Sequence, residues 1–335
     1  MKAIKDKMSF LFAMLIFYWS FPLTVAFGTD WSLSYKARND IFFWTAFLLG
    51  FFKVRTYRIG EQGCYRDGSC IWLCNHRDWG DFFIDLYVVE GRACFLSRLM
   101  VLIAFPVFGF YGLVTRTAVF FRRNTKGRDF TKFNQFISGQ IQRSPCQGIV
   151  VYPEGTRNIK PESLPLRRGM LRYAYSERTP VQIVITTNKE HVISQKMQRA
   201  SFGTKCISGF SEVIRPGDYS NFEDFFDEIN KTWKAEWKRT YGASISNAVE
   251  VTPSEMKLYI PFYNIKLGQY LSMMAYSYFT VALMVGVASF SFVLTQSMLG
   301  LRVVHFGGFS TDCIVVSIFL GVFVACTKLI TRKQD

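Results

Sequence analysis

Leu267 to Leu301 is a run of 35 residues without a charge, and no feature of the chain narrows its folding options more. A stretch of that length is more than enough to cross the roughly 30 Å hydrocarbon core of a bilayer. A second uncharged stretch, Cys313 to Thr327, follows a turn marked by Arg302, His305, Gly307 and Gly308. The pair predicts a C-terminal two-helix transmembrane hairpin, in which Gly286 and Gly300 allow close helix packing. Lys328, Arg332 and Lys333 then favour a cytosolic C-terminus.

The other end of the chain shows a similar bias. Met8 to Phe27 is a run of 20 uncharged residues preceded by Lys2, Lys5 and Lys7. It is long enough to span. A signal peptide is the alternative, with Thr24-Val25-Ala26 as its cleavage site. The second apolar run that follows, Ile41 to Phe52, weighs towards membrane helices. At 12 residues it suits an interfacial helix or the shorter arm of a hairpin. With a mean composition that is half hydrophobic and includes 34 Phe, the chain reads as membrane-bound.

Between these flanks short apolar runs alternate with helical patterns. Residues 54–59, 70–74, 93–96, 117–121, 148–152, 181–187 and 206–213 read as strands. Phe130, Phe133, Phe136, Ile137 and Ile141 recur at helical spacing. A further helix is expected from Ser220, with Glu223 completing a capping box, through Phe225, Ile229, Trp233 and Trp237. Such alternation predicts a mixed α/β sheet flanked by helices on both faces. Leu99 to Leu113, uncharged but interrupted by Pro106, Gly109 and Gly112, is either a buried core segment or a membrane-dipping wall beside an apolar groove.

Charge is concentrated in this middle portion. With +15 overall and +2 from each flank, residues 53–266 carry +11. A basic domain between apolar flanks fits anionic head groups and phosphate-bearing ligands. Nucleic acid is not expected as a partner, since no nucleic-acid motif accompanies the charge. The eight cysteines form no C-x-x-C pair and no zinc-ligand spacing, so neither a metal site nor a cysteine nucleophile is expected.

Only three histidines exist, and one of them, His76, follows the strand-like run Cys70 to Cys74. Asp81 stands five residues on, in an H-x-x-x-x-D pattern. A carboxylate bonded to one imidazole nitrogen fixes the tautomer and makes the other nitrogen a better base. Asp78 and Arg77 are alternative partners for the histidine. A second strand ends in Tyr152-Pro153-Glu154-Gly155-Thr156-Arg157, a turn whose backbone N–H groups, hydroxyl and guanidinium suit an anion. A third, Thr117 to Phe121, ends in Arg122-Arg123, and a fourth runs from Val181.

Taken together, Asn75 to Asp81, Val119 to Arg122, Tyr152 to Arg157 and Thr179 to Ile183 resemble the four blocks of the glycerolipid acyltransferase family, the 1-acylglycerol-3-phosphate and lysophospholipid acyltransferases. The resemblance covers roughly residues 55 to 240. Tyr152 replaces the usual Phe of F-P-E-G-T-R, and Thr179 stands where Val is common. It implies an αβ-acyltransferase catalytic domain over 54–262, between an N-terminal membrane anchor over 1–53 and the C-terminal hairpin over 263–335. The implied catalytic pair is His76 with Asp81. Arg122, Glu154, Gly155, Thr156 and Arg157 are expected to bind substrate, while Asn75, Gly80 and Pro153 support the motifs, Gly80 by letting the chain bend.

The activity implied is transfer of a fatty acyl group from acyl-CoA, a co-substrate rather than a cofactor, to a lysophospholipid hydroxyl, with lysophosphatidic acid the leading acceptor. Lysophospholipid remodelling, CoA-independent transacylation, or a non-enzymatic membrane scaffold are the alternatives. Partners expected are the two substrates and the bilayer; oligomeric state is not legible. The expected location is the endoplasmic reticulum membrane with the catalytic domain facing the cytosol. Asn230-Lys231-Thr232, the chain's sole N-glycosylation sequon, would report on that orientation.

Overall fold

The computed structural model describes residues 2–28, 40–121 and 130–259, with isolated positions between 267 and 289. Ten strands are described: β1 (Arg55–Ile59), β2 (Cys70–Cys74), β3 (Ala93–Arg98), β4 (Ala118–Phe121), β5 (Gly148–Val151), β6 (Val181–Thr186), β7 (Ile193–Ser194), β8 (Arg199–Ala200), β9 (Lys205–Phe210) and β10 (Val249–Glu250). Eight of them form one sheet in the order β10-β1-β9-β6-β2-β5-β3-β4, and β7 pairs with β8 in a small hairpin. The run β6-β2-β5-β3-β4 is parallel throughout. β9 is antiparallel to β6 and parallel to β1, so the sheet is mixed.

All seven expected strands are present, within a few residues of their sequence bounds. The pleat explains how the central ones are buried on both sides. In β2, Cys70, Trp72 and Cys74 enter one core while Ile71 and Leu73 enter the other. The first core is closed by α1 (Lys2–Gly28), α2 (Asp40–Phe51), α3 (Asp81–Val88) and α5 (Pro106–Thr115), the last preceded by the short α4 (Leu99–Ala104). The second is closed by α6 (Phe130–Arg143), α7 (Arg168–Ser176) and α9 (Phe222–Tyr241). A one-turn helix, α8 (Lys189–Val192), leaves the end of β6.

Several expectations change. Helix α9 starts later than its Ser220–Glu223 box suggested: Asn221 caps it, accepting from the Asp224 N–H at 3.0 Å. The sequon lies within this helix, where Asn230 donates to the Phe226 carbonyl, so it is a poor reporter of membrane orientation. Leu99 to Leu113 becomes two helices broken at Phe105. Among the described residues no helix is long and apolar enough to cross a membrane, which leaves the spanning N-terminal segment without support. Helix α1 packs along the domain. It buries Ala13, Phe17 and Phe21 against the first core, with Phe17 touching Trp44, Trp79, Phe83 and Phe105. Its other side leaves Ile4, Met8, Leu11, Phe12 and Leu15 exposed. The C-terminal hairpin expected over 263–335 falls almost wholly outside the described residues.

Candidate active site

The C-terminal ends of β2, β5 and β6 lie side by side, and the loops leaving them build one site. This is where ligands bind in parallel open sheets, because the loops there diverge from a rigid base. Asn75 closes β2: its amide bonds the Thr186 carbonyl at 3.0 Å and its Oδ1 accepts the Thr186 N–H at 2.9 Å, tying β2 to β6. His76 then leaves the sheet at the loop's start, and Asp81 opens α3.

His76 Nδ1 lies 2.7 Å from Asp81 Oδ2. The same oxygen accepts the Arg77 N–H. Of the three candidate partners Asp81 is therefore the one that reaches the imidazole. Arg77 is turned away, with its guanidinium on Glu190 and on the Lys160 carbonyl. Asp78 instead accepts from Arg157, from the Ser194 hydroxyl and from the Trp79 N–H. With Nδ1 bonded to Asp81, Nε2 is the nitrogen left to act as a base. Gly80 has an ordinary helical φ of −61°, so it provides room rather than a bend. A Cβ there would sit 2.7 Å from the Lys189 carbonyl.

The loop after β5 packs under the histidine. Tyr152 stacks on the imidazole with centroids 4.3 Å apart. Pro153 is buried and its carbonyl accepts the Arg167 N–H. Gly155 takes φ +71°, a conformation costly for other residues. Glu154 is buried and faces inward, where it accepts the backbone N–H of His76 and Leu164 and the Asn158 amide. It braces the two loops against each other and is not part of the cavity wall. Thr156 and Arg157 do line the cavity, and Arg157 Nη1 reaches Asp78 at 3.0 Å and Gln195 at 2.8 Å. Arg122 lies outside the described residues.

Residues 56–187 match the family model described as Acyltransferase. Residues 56–187 are thus an acyltransferase domain. A 1-acyl-sn-glycerol-3-phosphate acyltransferase of Cocos nucifera is 20% identical over 128 residues, which cover 38% of this chain and 40% of that protein. The match thus spans two fifths of the curated relative's length. The crystal structure of the 1-acyl-sn-glycerophosphate acyltransferase PlsC from Thermotoga maritima shares the fold with a TM-score of 0.54 at 17% identity, covering 73% of this chain and 99% of that one.

The acyltransferase domain holds a cavity of about 610 Å³ in front of this pair. Its lining is apolar at Phe17, Trp44, Phe82, Val101, Phe105 and Phe108, and polar or charged at His76, Arg98, Thr156, Arg157 and Arg167. The Leu99–Leu113 segment thus supplies cavity wall. Two of the basic lining residues, Arg98 and Arg167, were missed in the sequence. Arg98 ends β3 and donates to the Gly155 carbonyl. Its signal was a lone arginine terminating an apolar strand at the same end as His76.

Behind the histidine lies a buried charged layer that the sequence also concealed. Lys189, fully buried, donates to both oxygens of Asp85 at 2.8 Å and to the Asn75 carbonyl at 2.7 Å. It stands 3.7 Å from Asp81 Oδ1. Burial works against ionisation of Asp81, but Lys189 and His76 outweigh it and hold the carboxyl below its ordinary range. Asp85 goes the other way: burial, with the Asp81 charge, pushes it up to about 7 despite Lys189. The buried thiol of Cys74 is pushed well above its usual value by burial, unlike a nucleophile.

Proposed function

We propose that this chain transfers a fatty acyl group from acyl-CoA to the free hydroxyl of a lysophospholipid, with 1-acylglycerol-3-phosphate as the preferred acceptor. The observation that carries the reading is a single cavity whose lining includes the Asp81-bonded His76, Arg157 and Thr156 together with many aromatic and aliphatic side chains. The apolar lining suits an acyl chain and the guanidinium groups suit phosphate.

In this mechanism His76 Nε2 takes the proton from the acceptor hydroxyl as its oxygen attacks the thioester carbonyl. Asp81 keeps the Nδ1–H tautomer and stabilises the imidazolium that forms. The tetrahedral oxyanion collapses, the carbon–sulfur bond breaks, and coenzyme A leaves after taking the proton back through His76. Arg157 and Thr156 hold the acceptor phosphate, assisted by Arg98 and Arg167. No step calls for a metal or cofactor.

Membrane association belongs to the same proposal. Acceptor and donor are both lipidic, and the exposed apolar side of α1 offers Ile4, Met8, Leu11, Phe12 and Leu15 to a bilayer surface. The uncharged Leu267 to Leu301 supports attachment as well. The proposed location is the endoplasmic reticulum, with the catalytic domain facing the cytosol.

The test is acyl transfer by membranes expressing the chain, beside a His76→Ala control. Labelled oleoyl-CoA is supplied with lysophosphatidic acid or, separately, with lysophosphatidyl-choline, -ethanolamine, -inositol or -glycerol. His76-dependent product from lysophosphatidic acid alone is the expected result. Preference for another lysophospholipid moves the protein into remodelling with the mechanism intact. Absence of product with every acceptor overturns the proposal.

A further inference from the structure

Asp81 has two oxygens, and only one of them is occupied by the histidine. Oδ2 is shared by His76 Nδ1 and the Arg77 N–H. Oδ1 is buried and has no hydrogen-bond partner among the described residues. The cation in reach of that orphaned oxygen is Lys189, at 3.7 Å. A carboxylate with an unsatisfied buried oxygen is costly to keep ionised unless a charge answers it.

Lys189 belongs to a closed circuit. Its ammonium is held by the Asn75 carbonyl at one side and by Asp85 on the other. Asp85 Oδ2 in turn accepts the Tyr152 hydroxyl at 3.0 Å. The Tyr152 ring lies 4.3 Å from the His76 ring, centroid to centroid, which brings the circuit back to its start. Tyr152 is also where this chain departs from the Phe of the F-P-E-G-T-R pattern, and the added hydroxyl is the atom that reaches Asp85. Neither Lys189 nor Asp85 lines the cavity, so neither touches substrate.

We propose that Lys189 is a positioning residue for the His76–Asp81 pair: its buried ammonium, anchored by Asn75 and Asp85, keeps Asp81 an ionised acceptor turned on Nδ1. The inference rests on the proposed acyl transfer for its kinetic readout, though not for its spectroscopic one. Other ionisable groups facing this layer are Cys74 from β2, Glu190 from α8, Cys206 from β9 and Tyr241 from α9, with Arg77 from the catalytic loop. The thiols and the phenol of Tyr241 are pushed upward, chiefly by burial, and so carry no charge near neutrality. Glu190 is paired with Arg77, which leaves Lys189 as the cation that answers Asp81 and Asp85.

The experiment uses the full chain in lipid–detergent micelles and two matched comparisons: Lys189→Met against the parent protein, and Lys189→Met/Asp85→Asn against Asp85→Asn. The second pair matters because Lys189→Met alone strands two buried carboxylates and is prone not to fold, whereas the double variant removes the ion pair as a unit. In each pair, loss of Lys189 should move the acidic limb of the kcat/KM profile up by about one pH unit. Merely structural damage would lower the plateau and leave the limb where it was. Coincident limbs in a pair of folded proteins overturn the proposal. The carboxyl carbon of Asp81, followed by NMR in the same variants, should titrate higher without Lys189 and requires no substrate. If no acceptor is acylated, the functional reading fails while the carboxyl titration still decides the role of Lys189.

Discussion

The phenol of Tyr152 lies flat against the His76 imidazole, ring centroids 4.3 Å apart and planes 17° from parallel. Its hydroxyl points past the histidine to Asp85 Oδ2 at 3.0 Å. One side chain therefore supports the base from below and partners a buried carboxylate. Tyr152→Phe separates these roles, since the ring stays and the hydroxyl goes. Turnover should stay within about threefold of the parent, while stability falls by about 1 kcal/mol for the lost hydrogen bond. Removing a bond that favours the ionised carboxylate should also raise the Asp85 titration. Tyr152→Ala removes the support itself and should lower kcat by about tenfold or more. Steady-state kinetics and thermal unfolding of the two variants distinguish these outcomes.

His76→Ala should abolish transfer, with a loss of about a thousandfold or more. The side chain is partly exposed and its imidazole is bonded to Asp81, so the fold should persist with a melting temperature within about 5 °C of the parent. Asp81→Asn is a different lesion. It removes the charge that orients the imidazole and also one of the two carboxylates near Lys189. A loss of about a hundredfold to ten-thousandfold in kcat is expected, together with lower stability. Near-normal activity in His76→Ala would remove it from the role of base.

The strands that build this site were legible because each is a short apolar run ending in polar or Gly/Pro chemistry, as at Cys74-Asn75 and Val151-Tyr152-Pro153. The β7–β8 hairpin and β10 were not, since two-residue strands carry no periodicity to read. The His76–Asp81 pairing could be read from local spacing. Arg157 was legible as a cavity residue, but its tie to Asp78 was not. Lys189 escaped altogether. It meets Asn75 across a sequence separation of 114 residues, and only the pairing of β6 beside β2 brings them together. A lysine after a strand looks like a solvated terminus until that neighbour is known.

Arg157 reaches Asp78 at 3.0 Å and Gln195 at 2.8 Å from the cavity wall. Arg157→Lys keeps the charge opposite Asp78 but loses the planar fork that grips phosphate. The acceptor KM should rise by about tenfold for lysophosphatidic acid, with kcat changed by less than about threefold. Arg157→Ala additionally leaves the buried Asp78 without its cation. It should cost about 2 kcal/mol of stability, below the range for fully buried pairs because Arg157 is one-third exposed. An unchanged acceptor KM in Arg157→Lys would take Arg157 out of the phosphate site.

Asp85 makes stability depend on pH in an unusual direction. Burial, reinforced by the Asp81 charge, raises its folded-state pKa to about 7 from an ordinary 3.8. Between those values the folded protein holds a proton that the unfolded chain has released. Stability from this group is therefore complete below about pH 4, falls as pH rises towards 7, and levels off above it. Asp81 acts oppositely at more acidic pH, because its folded-state value is lowered. Asp85→Asn fixes the side chain in a neutral form at every pH and removes the proton linkage. Melting temperatures measured from about pH 4 to pH 8 should fall less steeply in Asp85→Asn than in the parent, with a differential of a few kcal/mol across the window. Parallel curves would mean that Asp85 is ionised throughout, held so by Lys189 more firmly than burial opposes it.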